Sequence, residues 1–223
     1  MSKIDWMQVF SANLGKMMAI QENARKYVVK DRNWNVDFRK GIIAFGEDVF
    51  PIQMIGTESN ESNTWNWGWN NINDFPDSVI QLANEALQKG ETWKLEPLIV
   101  EQFEMGEVFN GHTLSIVACG INDEKCFYYR CPHSRGAVFV AVQNVPDEVF
   151  QPVLISDFFQ ITLSCIFQQF PVDHKVFLEN FLEWNQTPFV WNGDILTAHF
   201  EKDLRIKFKL EDNEYFISEM KMA

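Results

Sequence analysis

The chain has 223 residues, of which 46% are hydrophobic and 14% aromatic, so it is long and apolar enough to bury a core. Its formal net charge of −12 argues against a nucleic-acid binder, because phosphate contacts need clustered Lys and Arg, and it suits a basic protein partner. A membrane span needs about 20 predominantly apolar residues. The most apolar stretch, residues 149–172, is interrupted by Pro152 and Asp157, so we expect no membrane span.

The amino end lacks the apolar run of a signal peptide, and the four cysteines show no paired short spacing. We therefore expect a cytoplasmic protein with reduced thiols and no metal site. No Gly-rich phosphate loop, His-Glu-x-x-His helix or Gly-x-Ser-x-Gly elbow is present. The absence of these motifs predicts no cofactor and favours a protein that is not an enzyme.

The first part of the chain combines a helical period with a run of short alternating segments. Apolar residues recur at a helical spacing over residues 6–27. Three alternating segments separated by Gly-containing turns then predict antiparallel strands at residues 34–38, 42–45 and 50–57. The polar residues 58–63 indicate a loop, which is of functional interest because loops on rigid scaffolds often carry function.

A second helix is predicted over residues 76–89, with Pro76 in its first turn and Gly90 as its stop. With the preceding strand at residues 64–70, it completes a helix, four-strand and helix unit over residues 1–92. The remainder, residues 93–223, is predicted to form a second α+β unit, and the two could also be one continuous domain.

The second half of the chain repeats the mixture of strands and helices. Four strands are predicted at residues 98–105, 112–119, 126–130 and 137–142, two helices at 153–170 and 172–184, and a meander at 189–191, 195–201, 204–210 and 215–220. Asn192-Gly193 is the strongest short hairpin signal in the chain. The predicted fold class is α+β, with antiparallel β-meanders, helices packed on one face, and an element order compatible with two similar sub-structures.

Three tryptophans spaced by two residues dominate the middle of the first unit. In an extended strand, Trp65, Trp67 and Trp69 share one face. Their indoles either fill the core beneath the 76–89 helix or form a wall that stacks a planar ligand. In the second case Trp65, Trp67 and Trp69 would be ligand-binding residues, and Asn66 and Asn70 would orient polar groups.

The segments around these tryptophans are Ile55-Gly56-Thr57-Glu58-Ser59 and Thr64-Trp65-Asn66-Trp67-Gly68-Trp69-Asn70. Their pattern, Ile-Gly-Thr-x-Ser followed by Thr-Trp-x-Trp-Gly-Trp-x-Asn, resembles the signature of a bacterial family of unknown function. Residues 34–37, 41–46 and the Gly90-Glu91 helix end add to the likeness, which extends over about residues 30–92. The resemblance implies no activity, cofactor or catalytic residue.

Other reactive side chains form weak patterns. Cys126, Cys131 and His133 lack the second ligand pair that a structural zinc site shows. A catalytic pair of Cys131 and His133 lacks a residue to orient the imidazole. His112 and Asp37 complete the least implausible set for a hydrolase-like enzyme.

A basic strand face stands out in this acidic chain. Arg205, Lys207 and Lys209 alternate with apolar residues, so they share one face of a strand. This face is either a solvated surface or a binding surface.

These observations favour a non-catalytic cytoplasmic interaction protein, of the immunity or antitoxin kind, that binds a basic protein. The alternative is a small-ligand-binding protein that uses the tryptophan strand. A second alternative is an uncharacterised enzyme.

Overall fold

The computed structural model describes residues 4–167, 171–212 and 214–222. As predicted, the fold is α+β with antiparallel sheets. The α-helices are α1 (Trp6–Ala24), α2 (Gln81–Trp93), α3 (Glu96–Ile99), α4 (Gly111–Ile121), α5 (Ile155–Phe167) and α6 (His174–Trp184). The strands are β1 (Trp34–Asp37), β2 (Ile42–Phe45), β3 (Asp48–Ser59), β4 (Thr64–Trp67), β5 (Gln102–Glu104), β6 (Cys126–His133), β7 (Gly136–Gln143), β8 (Phe189–Asn192), β9 (Ile195–His199), β10 (Asp203–Glu211) and β11 (Glu214–Met222). In the ranges described, no helix has the length and apolar character needed to cross a bilayer.

The chain divides into two compact units. The first contains residues 4–6 and 20–150, and the second contains residues 7–19 and 151–222. Residue 92, where the sequence predicted a boundary, lies inside the first unit. The reason is a long-range pairing, because β7 forms its ladder with β3 and so joins residues on both sides of position 92 into one sheet.

The seven-stranded sheet of the first unit is built around β3. Its path runs β1-β2-β3-β4-β5, while β7 pairs with β3 and β6 pairs with β7. Gly56 on β3 lies opposite both Trp67 and Phe139. A Cβ atom at Gly56 would lie 2.3 Å from the Trp65 ring, so only glycine leaves room for that indole.

The segment predicted as a strand at residues 112–119 is the helix α4. Asn110 accepts hydrogen bonds from the backbone N–H groups of His112 and Thr113, and the Thr113 side chain accepts one from the Asn110 backbone, which forms a capping box. Residues 113–120 are all buried, so the segment has no polar face to reveal a helical period. The predicted strand at residues 98–105 is also corrected, because α3 occupies its start and only β5 is extended.

The second unit contains the four-stranded meander in the order β11-β10-β9-β8, with the predicted hairpin turn at Asn192-Gly193. Leu204, Ile206 and Phe208 of β10 are buried, whereas Arg205, Lys207 and Lys209 are exposed. This alternation confirms that the three basic residues share the open face. The meander packs beside α6, whose Phe181 ring stacks on Phe158 of α5 at a centroid distance of 4.2 Å. The last three residues of the predicted 153–170 helix lie outside the described ranges.

His174, the first residue of α6, closes part of the free edge of β11. The backbone N–H of Ile217 donates to Nδ1 of His174 over 3.2 Å, and the imidazole lies edge-on to Phe216. A paired edge is protected from contacts with other chains. Burial lowers the pKa of His174 below its ordinary value, against the opposing effect of the Asp173 and Glu214 carboxylates.

We predict that His174 makes the folded state less stable in acid. Because the unfolded chain takes up a proton near pH 6.5 while the folded imidazole resists it, the free energy of unfolding falls as the pH drops through about 6.5. His174→Asn places an amide oxygen near the position of Nδ1, which keeps an acceptor for Ile217, and removes this proton uptake. Urea melts of variant and parent at about pH 7.5 and about pH 5 should therefore show a smaller acid loss in the variant; equal losses would contradict the role of His174. The variant should still lose some stability in acid, because it retains His112, whose pKa is also lowered by burial.

We also predict that Gly15→Ala is destabilising although Gly15 lies within helix α1. Alanine improves helix propensity by about 1 kcal/mol. Its Cβ atom, however, would lie 2.5 Å from Cγ and 2.6 Å from Cβ of Phe181, which are the inflexible part of that side chain. Overpacking of this kind costs about 1–3 kcal/mol, so the net free energy of unfolding should fall. Gly106→Ala is the control, because an added Cβ meets nothing within 4 Å.

Candidate functional site

The tryptophan hairpin, formed by β3 and β4, buries two of its three indoles completely. Trp65 and Trp67 are both 0% exposed. Their rings meet perpendicularly at a centroid distance of 5.4 Å, and Trp65 also contacts the Phe139 ring at 5.6 Å. Strand β4 ends at Trp67, so the predicted continuation to residue 70 is wrong. Trp69 lies in a 3₁₀ turn at Gly68–Asn70 and is half-buried. The structure therefore supports the core interpretation for Trp65 and Trp67.

The two asparagines predicted to orient a ligand bond to the hairpin itself. Nδ2 of Asn70 donates to Oδ1 of Asn66 over 2.9 Å, and Nδ2 of Asn66 donates to the Trp67 carbonyl over 3.2 Å. Asn66 is buried, and both its Oδ1 and its Nδ2 have hydrogen-bond partners within the turn. These bonds stabilise the end of β4.

The hairpin holds the segment that follows α2. The buried indole Nε1 of Trp67 donates to the Pro97 carbonyl over 2.9 Å, and the Trp67 backbone N–H donates to the Glu101 carbonyl over 3.1 Å. Strand β5 then pairs with β4, with Phe103 opposite Trp65. The position of this segment thus depends on the indole that the sequence singled out.

The other end of the segment is held by the turn and by β3. Asn63 and Met105 exchange two hydrogen bonds, from the Met105 N–H to the Asn63 carbonyl and from Nδ2 of Asn63 to the Met105 carbonyl. Oε1 of Glu58 accepts the N–H of Gly111 at the start of α4 over 3.0 Å, while its Oε2 lies 3.4 Å from Nε of Arg130. A carboxylate stabilises a helix N-terminus because the first backbone N–H groups have no acceptor within the helix. Two residues of the predicted functional loop, Glu58 and Asn63, therefore anchor the second half of residues 97–111.

This anchored segment lines a cleft of about 540 Å³, which we call the aromatic cleft. Its apolar lining comprises Ile4, Trp6, Leu95, Pro97, Val100, Phe103 and Phe109, and its charged rim comprises Asp5, Lys94, Glu96 and Glu104. The Trp6 and Phe109 rings lie 5.2 Å apart at an interplanar angle of 65°, and the Phe103 and Phe109 rings lie 6.2 Å apart at 81°. The three rings are half-buried, so each leaves surface available to the cleft.

The sequence did not single out these cleft residues. Trp6 precedes Phe103 by almost a hundred positions, and the strand predicted at residues 98–105 gave no indication that its Phe103 lies beside Trp6. The available signal was compositional: aromatic side chains close to carboxylates at both places. That pattern is too common to predict a site without the fold.

The residues considered for an enzyme site have local structural roles. Burial raises the pKa of the Cys131 thiol to about 12, which disfavours a thiolate nucleophile. Oδ1 of Asp37 accepts two backbone N–H groups of its own turn, and Nδ1 of His133 accepts the Arg135 N–H in the β6–β7 hairpin.

His112 lies at the start of α4, over the sheet. Its Nδ1 is 3.2 Å from the Tyr128 hydroxyl, and its ring meets Phe139 edge to face. Burial lowers the His112 pKa and raises the Tyr128 pKa, so both groups favour their neutral forms. Over the described residues, no three His, Cys, Asp or Glu side chains form a group able to hold a metal ion.

We predict that Trp67→Ala lowers the free energy of unfolding by about 3–5 kcal/mol, as aromatic-to-alanine changes in cores do. The variant loses the buried ring and also leaves the Pro97 carbonyl without its donor. Denaturant melts measure the loss. Asn66→Ala should cost about 1–3 kcal/mol because it breaks a buried polar pair.

Glu61→Ala, an exposed change in the hairpin turn, is the control and should stay within about 0.5 kcal/mol of the parent. A Trp67→Ala protein as stable as the parent would contradict the core role of this indole.

Comparison with known proteins gives one assignment. No curated protein and no solved structure matches the chain. The profile of the family described as DUF6882, a family of unknown function, matches residues 8–145. The matched region contains the tryptophan hairpin and the whole cleft-lining segment from Lys94 to Phe109. Because the match covers more than half of the chain, the protein belongs to the DUF6882 family.

Proposed function

We propose that this protein is a non-catalytic cytoplasmic binding protein for a basic protein partner, as immunity and antitoxin proteins are. The observation that supports the proposal is the aromatic cleft with its carboxylate-rich rim. The residues with acid–base or nucleophilic chemistry are engaged in turns, capping and core packing, which gives the catalytic alternative no comparable support.

The size and chemistry of the cleft suit an anchor side chain of a partner. A volume of about 540 Å³ lies within the range of roughly 300–1,000 Å³ that is usual for binding pockets. Protein interfaces concentrate their binding energy in a few residues that fill well-packed pockets, and aromatic residues are enriched among them. Trp6, Phe103 and Phe109 supply such a lining, and the segment that carries Phe103 and Phe109 is anchored, so little conformational entropy of that segment is lost when a partner binds.

Charge favours a basic partner. Among the described residues that line the cleft, three carboxylates, of Asp5, Glu96 and Glu104, outnumber the Lys94 ammonium. The chain as a whole carries a formal charge of −12. A negative surface accelerates association with a positive partner and makes the association rate fall with ionic strength.

A small-ligand function is the second candidate, and the cleft is a better place for it than the tryptophan strand. A ligand wall needs exposed ring surface, and Trp65 and Trp67 have none. The half-buried rings of Trp6, Phe103 and Phe109 meet this requirement.

Selection from a random displayed-peptide library on the purified protein tests the proposal. We expect enriched peptides to carry net positive charge and an apolar residue, and their association rates to fall as salt rises. The double charge reversal Glu96→Lys with Glu104→Lys should abolish the enrichment. Glu47→Lys with Glu61→Lys makes the same change in charge at exposed positions outside the cleft and should preserve most of the binding.

Enrichment of neutral or acidic peptides would overturn the basic-partner proposal. So would basic peptides whose affinity is lowered equally by the cleft and control reversals, because binding would then reflect net charge alone.

A further inference from the structure

We propose that the aromatic cleft is a cation-binding pocket that takes the end of an alkylammonium or guanidinium side chain, that is, a Lys or Arg of the partner. This inference rests on the proposed function and specifies which group of a basic partner enters the cleft. Trp6, Phe103 and Phe109 form its aromatic wall, and Asp5, Glu96 and Glu104 form its acidic rim.

The arrangement of the rings supports a cation. The Trp6–Phe109 and Phe103–Phe109 interplanar angles of 65° and 81° mean that neighbouring rings are steeply inclined rather than stacked. Steeply inclined rings form a corner, which encloses a compact group better than it encloses a flat ring system. Ring faces carry partial negative charge, so a cation within about 6 Å of a ring centroid is attracted, and aromatic cages bind methylated ammonium groups in this way.

The lining is suited to both ends of a long basic side chain. Leu95, Pro97 and Val100 supply aliphatic contacts for a methylene stem. The carboxylates of Glu96, from the first turn of α3, and Glu104, from β5, add electrostatic attraction at the rim. Lys and Arg commonly bury their stems along apolar surface while their charged ends stay near polar groups. An uncharged apolar anchor would use the aliphatic contacts but would gain nothing from the rim carboxylates.

The rim also discriminates against anions. Lys94 lies two residues before Glu96 and is exposed. Among the described lining residues, an acidic or phosphorylated group would meet the carboxylates of Glu96 and Glu104 as well as this ammonium. The lining therefore selects for positive charge as well as for apolar character.

A matched pair of small probes isolates the charge. Choline and 3,3-dimethylbutan-1-ol have the same shape, but only choline carries a positive charge. Titrations of the parent protein followed by NMR chemical shifts should show choline binding about tenfold more tightly than its neutral isostere. N-acetyl-lysine methylamide should likewise bind more tightly than the norleucine analogue.

Variants locate the binding. Glu96→Gln with Glu104→Gln should weaken choline several-fold and leave 3,3-dimethylbutan-1-ol nearly unchanged, because only the charge is removed. Phe109→Leu should weaken both probes. Glu47→Gln with Glu61→Gln, which removes the same charge from exposed positions outside the cleft, is the matched control and should leave both probes unchanged.

Equal affinity for choline and its isostere would overturn the cation assignment, and so would choline binding that is unaffected by the Glu96 and Glu104 changes. Either result leaves the proposed function to be decided by the peptide selection, since an apolar anchor could still enter the cleft. The reverse outcome is also distinguishable. Cleft-dependent choline binding without enrichment of basic peptides would support the cation pocket and contradict the basic protein partner.

Discussion

The hydrogen bond from the buried Trp67 indole to the Pro97 carbonyl is the interaction on which the arrangement of the first unit depends. A buried indole N–H needs an acceptor, and here the acceptor is the Pro97 carbonyl of the short helix α3. The bond fixes the start of the segment at residues 97–111, while β4–β5 pairing and the Glu58–Gly111 contact fix the rest. The tryptophan hairpin is therefore a structural frame, and the surface that it holds in place is the candidate site.

The role of the hairpin as a structural frame accounts for the prominence of the tryptophan signature. Trp65 and Trp67 are fully buried, and the Trp65 ring has room because position 56 is glycine. Asn66 and Asn70 use their amides on each other and on the backbone. A change at any of these positions would act on the cleft through the fold, whereas a change at Glu96 or Glu104 would act on charge at the rim.

Four titratable residues outside the cleft also have local structural roles. Glu58 serves as an acceptor at the start of α4 and as the partner of Arg130. His112 and Tyr128 bond to each other beside Phe139, where low polarity favours their neutral forms. His174 blocks part of a sheet edge. Capping, edge protection and core packing thus account for these four residues, whereas they do not account for the aromatic cleft.

The sequence by itself determined the elements whose contacts are local. The β8–β11 meander followed from strict alternation and from Asn192-Gly193, and the α+β class followed from the mixture of periods two and 3.6.

Tertiary structure decided the rest. Helix α4 was mistaken for a strand because burial on all sides removes the polar face that would show its period. The unit boundary moved from residue 92 to about residue 150 because β3 pairs with β7, a partner that alternation cannot identify. The cleft could not be predicted because Trp6 is almost a hundred positions away from the segment that carries Phe103 and Phe109, and only the fold brings these rings together.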